Sequence, residues 1–186
     1  KIRALAEVLE HQIGDDPANW VGDEISERDL APYLYPDLDE VERIGVKALY
    51  FGYFFPWDVV DNYHFIKTKI DFRTAPKGRT EGTFTDFDSL DDKIDDLYYY
   101  MQFIKFGFGR ALRDASRQVQ RGRMARGKAL GFVREYDGEF PENHLAESLE
   151  YLALALPEFT DTVDLHRNDE IWNKRGNRWE LRFPPE

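Results

Sequence analysis

Hydrophobic residues along this chain recur mainly at helical spacing, with polar residues between them. Ile2, Leu5, Leu9 and Ile13 fall three to four positions apart and predict a helix over 1–13, ended by Gly14-Asp15-Asp16-Pro17. Ser26-x-x-Asp29 is a capping-box variant with Asp in the Glu position, suited to opening a short helix. Pro32 and Pro36 interrupt the next stretch, and residues 37–44 read as another short helix closed by Gly45. A helix is expected over 59–69. Residues 70–87, with Pro76, Gly78 and Gly82, read as an exposed loop. Ser89 can cap a long helix to about Ile104 that carries Ile94, Leu97, Met101 and Ile104 on one face. Phe106-Gly107-Phe108-Gly109 breaks the period, and residues 110–120 resume it up to Gly122. Further helices are predicted over 125–136, 145–155 and 158–171, with a short hairpin or extended tail over 172–183.

One segment has a different pattern. Residues 46–55 (VKALYFGYFF) form a nearly continuous run of β-branched and aromatic side chains between Gly45 and Pro56. Such a run suits a strand buried on both faces, as in a parallel sheet covered by helices. A single strand is no sheet, so its partners must come from outside the segments that read as helix and loop here.

Composition narrows the class. The 186 residues correspond to about one domain. With 42% hydrophobic and 33% charged residues the chain is an ordinary globular protein. It has no cysteine, which excludes disulfides, thiolate metal sites and cysteine nucleophiles within it. His11, His64, His144 and His166 are scattered without metal-ligand spacing, and no sequence partner marks His64 or His144 as catalytic. No apolar run approaches the ~20 residues of a membrane span and no signal peptide opens the chain, so a cytoplasmic location is expected.

The net charge of −11 argues against general binding to nucleic acid or to anionic membranes. It conceals a basic block, however. Nine basic residues and one acid, Asp114, lie between Lys105 and Arg134. Such an island suits a small anion such as a nucleotide, or it is a solvated helix face paired with acidic neighbours.

The most unusual string is Lys105-Phe106-Gly107-Phe108-Gly109-Arg110. Its glycines allow close approach of backbone to a ligand or to a neighbouring helix, and its cations suit a phosphate. It lacks the full spacing of a phosphate loop or a dinucleotide turn. Asp91, Asp92, Asp95 and Asp96 form an acidic ladder at a helix start, where the helix dipole is reason enough for carboxylates. Mg²⁺ held by Asp92 and Asp96 is the alternative. Asp58 comes just after the strand segment, where open α/β sheets place ligands, or else caps the next helix. Glu81-Gly82-Thr83 is a substrate contact or a turn. Ser116 has no adjacent His/Asp arrangement of a hydrolase.

Several strings together resemble the C-terminal half of the N-acetyl sugar amidotransferase family. They are Asp29-Leu30-x-x-Tyr33-x-Tyr35-Pro36, Gly52-Tyr53-Phe54-x-x-Trp57-Asp58, Glu81-Gly82-Thr83, and Lys105 through Ala111, continued by Asp114, Gly122, Arg126 and Tyr136-Asp137-Gly138. The resemblance implies an α/β fold class. The chain would be the mostly helical C-terminal part of a Rossmann-like ATP-pyrophosphatase fold, related to asparagine synthetase, with its parallel strand at 46–55. Residues 1–69 would end the nucleotide-binding domain, and residues 70–186 would form a helical region carrying the basic string.

The same resemblance implies conversion of an acetamido group of a nucleotide-linked N-acetyl sugar to acetamidino, in O-antigen, other surface-polysaccharide or flagellin-glycan synthesis. ATP, with Mg²⁺, would activate the amide oxygen by adenylation, and ammonia from a glutaminase/cyclase pair would displace AMP. Carried onto this chain, Lys105 and Arg110 would stabilise the transferring phosphate. Asp58, Glu81, Arg113, Asp114, Arg117 and Arg126 would bind substrate. The family's Ser-Gly-Gly-x-Asp-Ser loop does not occur in this sequence, so the chain is expected to be the C-terminal part of a longer enzyme, inactive alone. Zinc is expected only if a preceding region carries the family's cysteines. Homo-oligomerisation is possible on this reading, and no nucleic acid or membrane partner is expected. The competing reading is a non-catalytic helical docking module that binds a partner subunit through its basic face.

Overall fold

A computed structural model describes residues 2–3, 17–33, 37–176 and 178–186. Of the helix expected over 1–13, only Ile2 and Arg3 are described, and they form a strand. The rest of that segment, its Gly14-Asp15-Asp16 terminator and Tyr35-Pro36 lie outside the described residues. The chain divides into two compact units, residues 1–65 and 66–186.

In the first unit, strand β1 (Ile2–Arg3) pairs antiparallel with β2 (Ala48–Leu49). Helix α1 (Glu27–Leu30) carries the capping box read from sequence: Ser26 accepts from the Asp29 backbone, and Asp29 accepts from the Ser26 backbone. Helix α2 (Leu38–Ile44) starts on Asp37, whose carboxylate accepts from Glu40 N–H at 2.9 Å. It ends on Gly45 at φ +76°, the left-handed cap that glycine adopts most cheaply.

The parallel strand expected over 46–55 is not what forms. Only Ala48 and Leu49 pair, and they do so antiparallel. The chain then turns into the short helix α3 (Phe51–Phe54), with Tyr53 N–H donating to Tyr50 O and Phe55 N–H to Phe51 O. The physical reason is the backbone. A central strand needs ladder partners on both edges, and without them its N–H and C=O groups bond locally instead. Phe51, Tyr53 and Trp57 are correspondingly exposed. Asp58 opens helix α4 (Val59–Lys67), its Oδ1 accepting from the backbone of Val60 at 2.9 Å and Asp61 at 3.0 Å.

The second unit is helical: α5 (Asp95–Phe106), α6 (Arg110–Gln120), α7 (Arg126–Tyr136), α8 (Leu145–Tyr151) and α9 (Leu156–Leu165). An antiparallel hairpin of β3 (Trp172–Arg175) and β4 (Arg178–Leu181) completes it. Helix α5 begins later than Ser89 because Asp92 first turns the chain, its carboxylate accepting from Ile94 N–H at 3.0 Å. The expected helix over 158–171 starts at Leu156 and stops at Leu165, before the hairpin.

Two apolar clusters hold these elements. Leu97 and Ile104 of α5 pack with Leu149 of α8 and with Phe159 and Val163 of α9. Ala115 of α6 packs with Ala129 and Val133 of α7, under Phe84. The hairpin is tied to α5 by Trp172, which is buried and donates Nε1–H to Ile104 O at 2.7 Å.

The glycines of the unusual string serve close packing. A Cβ on Gly107, at φ +73°, would lie 2.6 Å from Ile171 Cγ2, and one on Gly109 would lie 2.8 Å from Asp137 Oδ1. Gly138, at φ +77°, leaves no room for a Cβ beside the Phe103 ring. Gly138→Ala combines left-handed strain with overpacking, so we expect a loss of about 2–4 kcal/mol, read as a lower urea midpoint at unchanged slope.

Candidate functional site

Residues 75–90 contain no helix or strand. A loop of that kind takes its shape from side chains of its neighbours, here chiefly α6 and the turn after α7. Arg110, at the first position of α6, is 1% exposed. Its guanidinium lies over the Tyr99 ring at 4.7 Å and donates to Asp88 O at 2.6 Å, with a longer contact to Glu81 O at 3.5 Å. One helical turn on, the buried Asp114 accepts from Thr83 Oγ1 at 2.7 Å and from Thr85 Oγ1 at 3.4 Å. Arg113 binds Asp88 at 2.9 Å, Asp114 at 3.1 Å and the Tyr99 hydroxyl at 3.0 Å. Three of the basic-island or substrate candidates thus point inward and shape the loop.

The opposite side of the loop is pinned by the turn after α7. Glu139 receives both Arg79 guanidinium nitrogens, at 2.7 and 2.5 Å, and the Gly82 N–H at 2.8 Å. The Arg79 contact holds the Glu139 carboxyl below its ordinary pKa. Asp137, two residues earlier, caps α6 from outside by accepting from Gly109 N–H at 2.8 Å and Leu112 N–H at 3.1 Å. Burial pushes the Asp137 carboxyl up despite those amides.

Between the loop, the start of α5 and the start of α8 lies an open cavity of about 370 Å³. Glu81 enters it with both carboxylate oxygens near Asn143 N–H, at 3.0 and 3.2 Å. Burial raises the Glu81 pKa, and the carboxylates of Asp96 and Glu139 add to that rise. Asp96 accepts from, or is charge-paired with, His144 Nδ1 at 2.8 Å. Lys93 is paired with Glu147 at 2.7 Å, and the Lys77 ammonium donates to Asn143 Oδ1. Carboxylates, an imidazole, an amide and an ammonium that converge in one cleft suit a ligand rich in hydroxyl and amide groups.

The sequence-based candidates therefore divide. Glu81, Asp92 and Asp96 line the cleft, and Arg110, Arg113 and Asp114 build the loop beside it. Lys105 is exposed at the end of α5, and Arg117 is exposed on α6. Arg126 opens α7 and donates to Glu186 O. Asp58 belongs to the first unit. Among the described residues no group of three or more His, Asp or Glu side chains is placed to hold a metal ion. Asp92 is committed to the Ile94 amide and Asp96 to His144. Sequence reasoning passed over His144 because Asp96, the residue that orients it, is 48 positions away.

Glu139 has a lowered folded pKa, so its contribution to stability is fully present above the unfolded value and is lost as pH falls through the lowered one. We expect acid unfolding monitored by tryptophan fluorescence to show a decline in stability below about pH 4.5, less steep in Glu139→Gln than in the unaltered protein.

No helix among the described residues is long and apolar enough to cross a membrane. No curated protein matches the chain. A family model does: the C-terminal domain of WbpG-like LPS biosynthesis proteins matches residues 81–183, more than half of the chain. That span includes Glu81, Asp96, Asn143 and His144, and also the string at 105–110 with the Asp137-Gly138 turn packed against it. The chain belongs to the WbpG-like family of LPS biosynthesis proteins, and residues 81–183 are its C-terminal domain.

Proposed function

We propose that this chain is the C-terminal part of an ATP-dependent N-acetyl sugar amidotransferase. It would convert an acetamido group of a nucleotide-linked sugar to acetamidino during O-antigen or related glycan synthesis. The observation that carries the reading is the family match over 81–183, which contains Glu81, Asp96, Asn143 and His144 of the cleft and the motif residues from Glu81 to Gly138 that resemble the amidotransferases. Ammonia would come from a partner glutaminase/cyclase pair.

The cleft supports the sugar-holding share of that reaction. Arg79 and Lys93 are neutralised by Glu139 and Glu147, and Lys77, which donates to Asn143 Oδ1, lines the same space as Glu81 and Asp92. Arg79 and Lys93 are therefore not free cations for a phosphate. Sugar hydroxyls and an acetamido group do fit, as donors to Glu81 and as acceptors from Lys77. Lys105 and Arg117, both exposed, remain the cations proposed to face phosphate, with Arg126 at the start of α7. Arg110 acts as a positioning residue for the Glu81 loop.

The natural gene product, supplied with ATP, Mg²⁺, ammonia and nucleotide-linked N-acetyl sugars, should form AMP only when sugar is present. The sugar product should have NH in place of one oxygen by mass spectrometry. Lys105→Ala should lower AMP formation by about 10²-fold while leaving the urea midpoint unchanged. AMP formation that ignores the sugar, or none with any N-acetyl sugar nucleotide, overturns the reading.

A further inference from the structure

His144 combines features that no other residue of the cleft has. Its Nδ1 is fixed by Asp96 at 2.8 Å, and that carboxylate lies in the first turn of α5. The Asp96 side chain is 10% exposed and the His144 side chain is 40% exposed, so the orienting group is shielded and the oriented ring is open. A carboxylate only accepts, so a neutral ring paired with it carries its proton on Nδ1 and keeps the Nε2 lone pair. Asn143, the preceding residue, binds both oxygens of Glu81 through its N–H, so Glu81 and the imidazole border the same space. A half-exposed imidazole held by a shielded carboxylate at the edge of a ligand-sized cleft is an arrangement for moving a proton.

We propose that His144, oriented by Asp96, is the general base of this cleft. It would accept the surplus proton of the nitrogen nucleophile as that nitrogen adds to the substrate's amide carbon. This step rests on the amidotransferase reading. In it, the lone pair of ammonia forms the new C–N bond, and the π pair of the activated amide carbon moves onto the sugar nitrogen. The proton that the incoming nitrogen can no longer hold passes to His144 Nε2, and the adduct then breaks its C–O bond to the adenylyl phosphate, so that the C=N bond of the amidine forms and AMP leaves. Asp96 stabilises the imidazolium that results and is a positioning residue. The Glu81 carboxyl beside it orients the sugar.

The test uses the natural gene product with ATP, ammonia and a nucleotide-linked N-acetyl sugar that the unaltered protein turns over. His144→Gln should lower kcat by 10²–10⁴-fold, with KM for the sugar nucleotide changed less than threefold. Added imidazole should restore part of the rate, which repair of a merely structural defect would not do. Asp96→Asn should lower kcat as well, without rescue by imidazole because His144 is still present. If His144→Gln does not fold, the Asp96→Asn rate decides. A kcat within threefold of the unaltered protein in the variant that folds overturns the proposal, as does a loss in His144→Gln that imidazole leaves untouched. If the unaltered protein makes no amidine from any such sugar, the amidotransferase reading fails and this step fails with it. A working enzyme with an unimpaired His144→Gln variant removes this step alone.

Discussion

The second unit depends on how a loop without secondary structure is held against α6. Residues 75–90 bond to one another at a few backbone positions, such as Ala75 N–H to Asp86 O and Thr80 N–H to Thr85 O, and others of their polar groups are met by Arg110, Asp114 and Glu139. Hydrogen bonds to charged groups contribute on the order of 1.5–3 kcal/mol each, and removal of one partner leaves the other buried and unsatisfied. A guanidinium as enclosed as Arg110 is tolerated only because carbonyl acceptors and the face of Tyr99 surround it. Glu81 therefore stands where it does because a helix more than twenty residues downstream fixes the backbone around it.

That constraint propagates in both directions. Asp137 anchors the N-terminus of α6, and the missing Cβ of Gly109 lets the carboxylate approach the backbone. Gly138 admits the Phe103 ring, which packs edge-on to Trp172 at 5.2 Å. Gly107, Gly109 and the Asp137-Gly138 turn are thus one packing knot joining α5, α6, α7 and the hairpin. The cleft forms where the loop meets Asp96 and His144. The charges gathered into one basic island by sequence differ in burial although Arg110, Arg113 and Arg117 recur at helical spacing along one side of α6, because the loop covers the first of them. Arg110 and Arg113 are internal, whereas Arg117 faces outward.

Much of the helical framework was legible in the chain, because caps and periodicity are local properties. The box at Ser26 and Asp29, the Gly45 stop, the break at 106–109 and the helix over 110–120 are all set by residues within a turn or two of each other. The strand at 46–55 was not legible in the same way. Its residues favour a buried strand, but a strand exists only where partners complete its ladder, and pairing is non-local. The cleft was half legible: Glu81, Asp92 and Asp96 could be singled out as acids near turns. The pairing of Asp96 with His144, and the conversion of Arg110 from a candidate ligand group into a loop anchor, are contacts between distant segments that no spacing rule encodes.

The central claim is that the loop pinned to α6 shapes a sugar-binding cleft around Glu81, Asn143 and His144. Backbone amide shifts of the isotopically labelled protein, recorded during titration with a nucleotide-linked N-acetyl sugar, test it most directly. The account predicts saturable shifts concentrated at Lys77, Glu81, Asn143 and His144. Shifts confined to the outward face of α6 around Arg117, with the cleft residues unmoved, would contradict it.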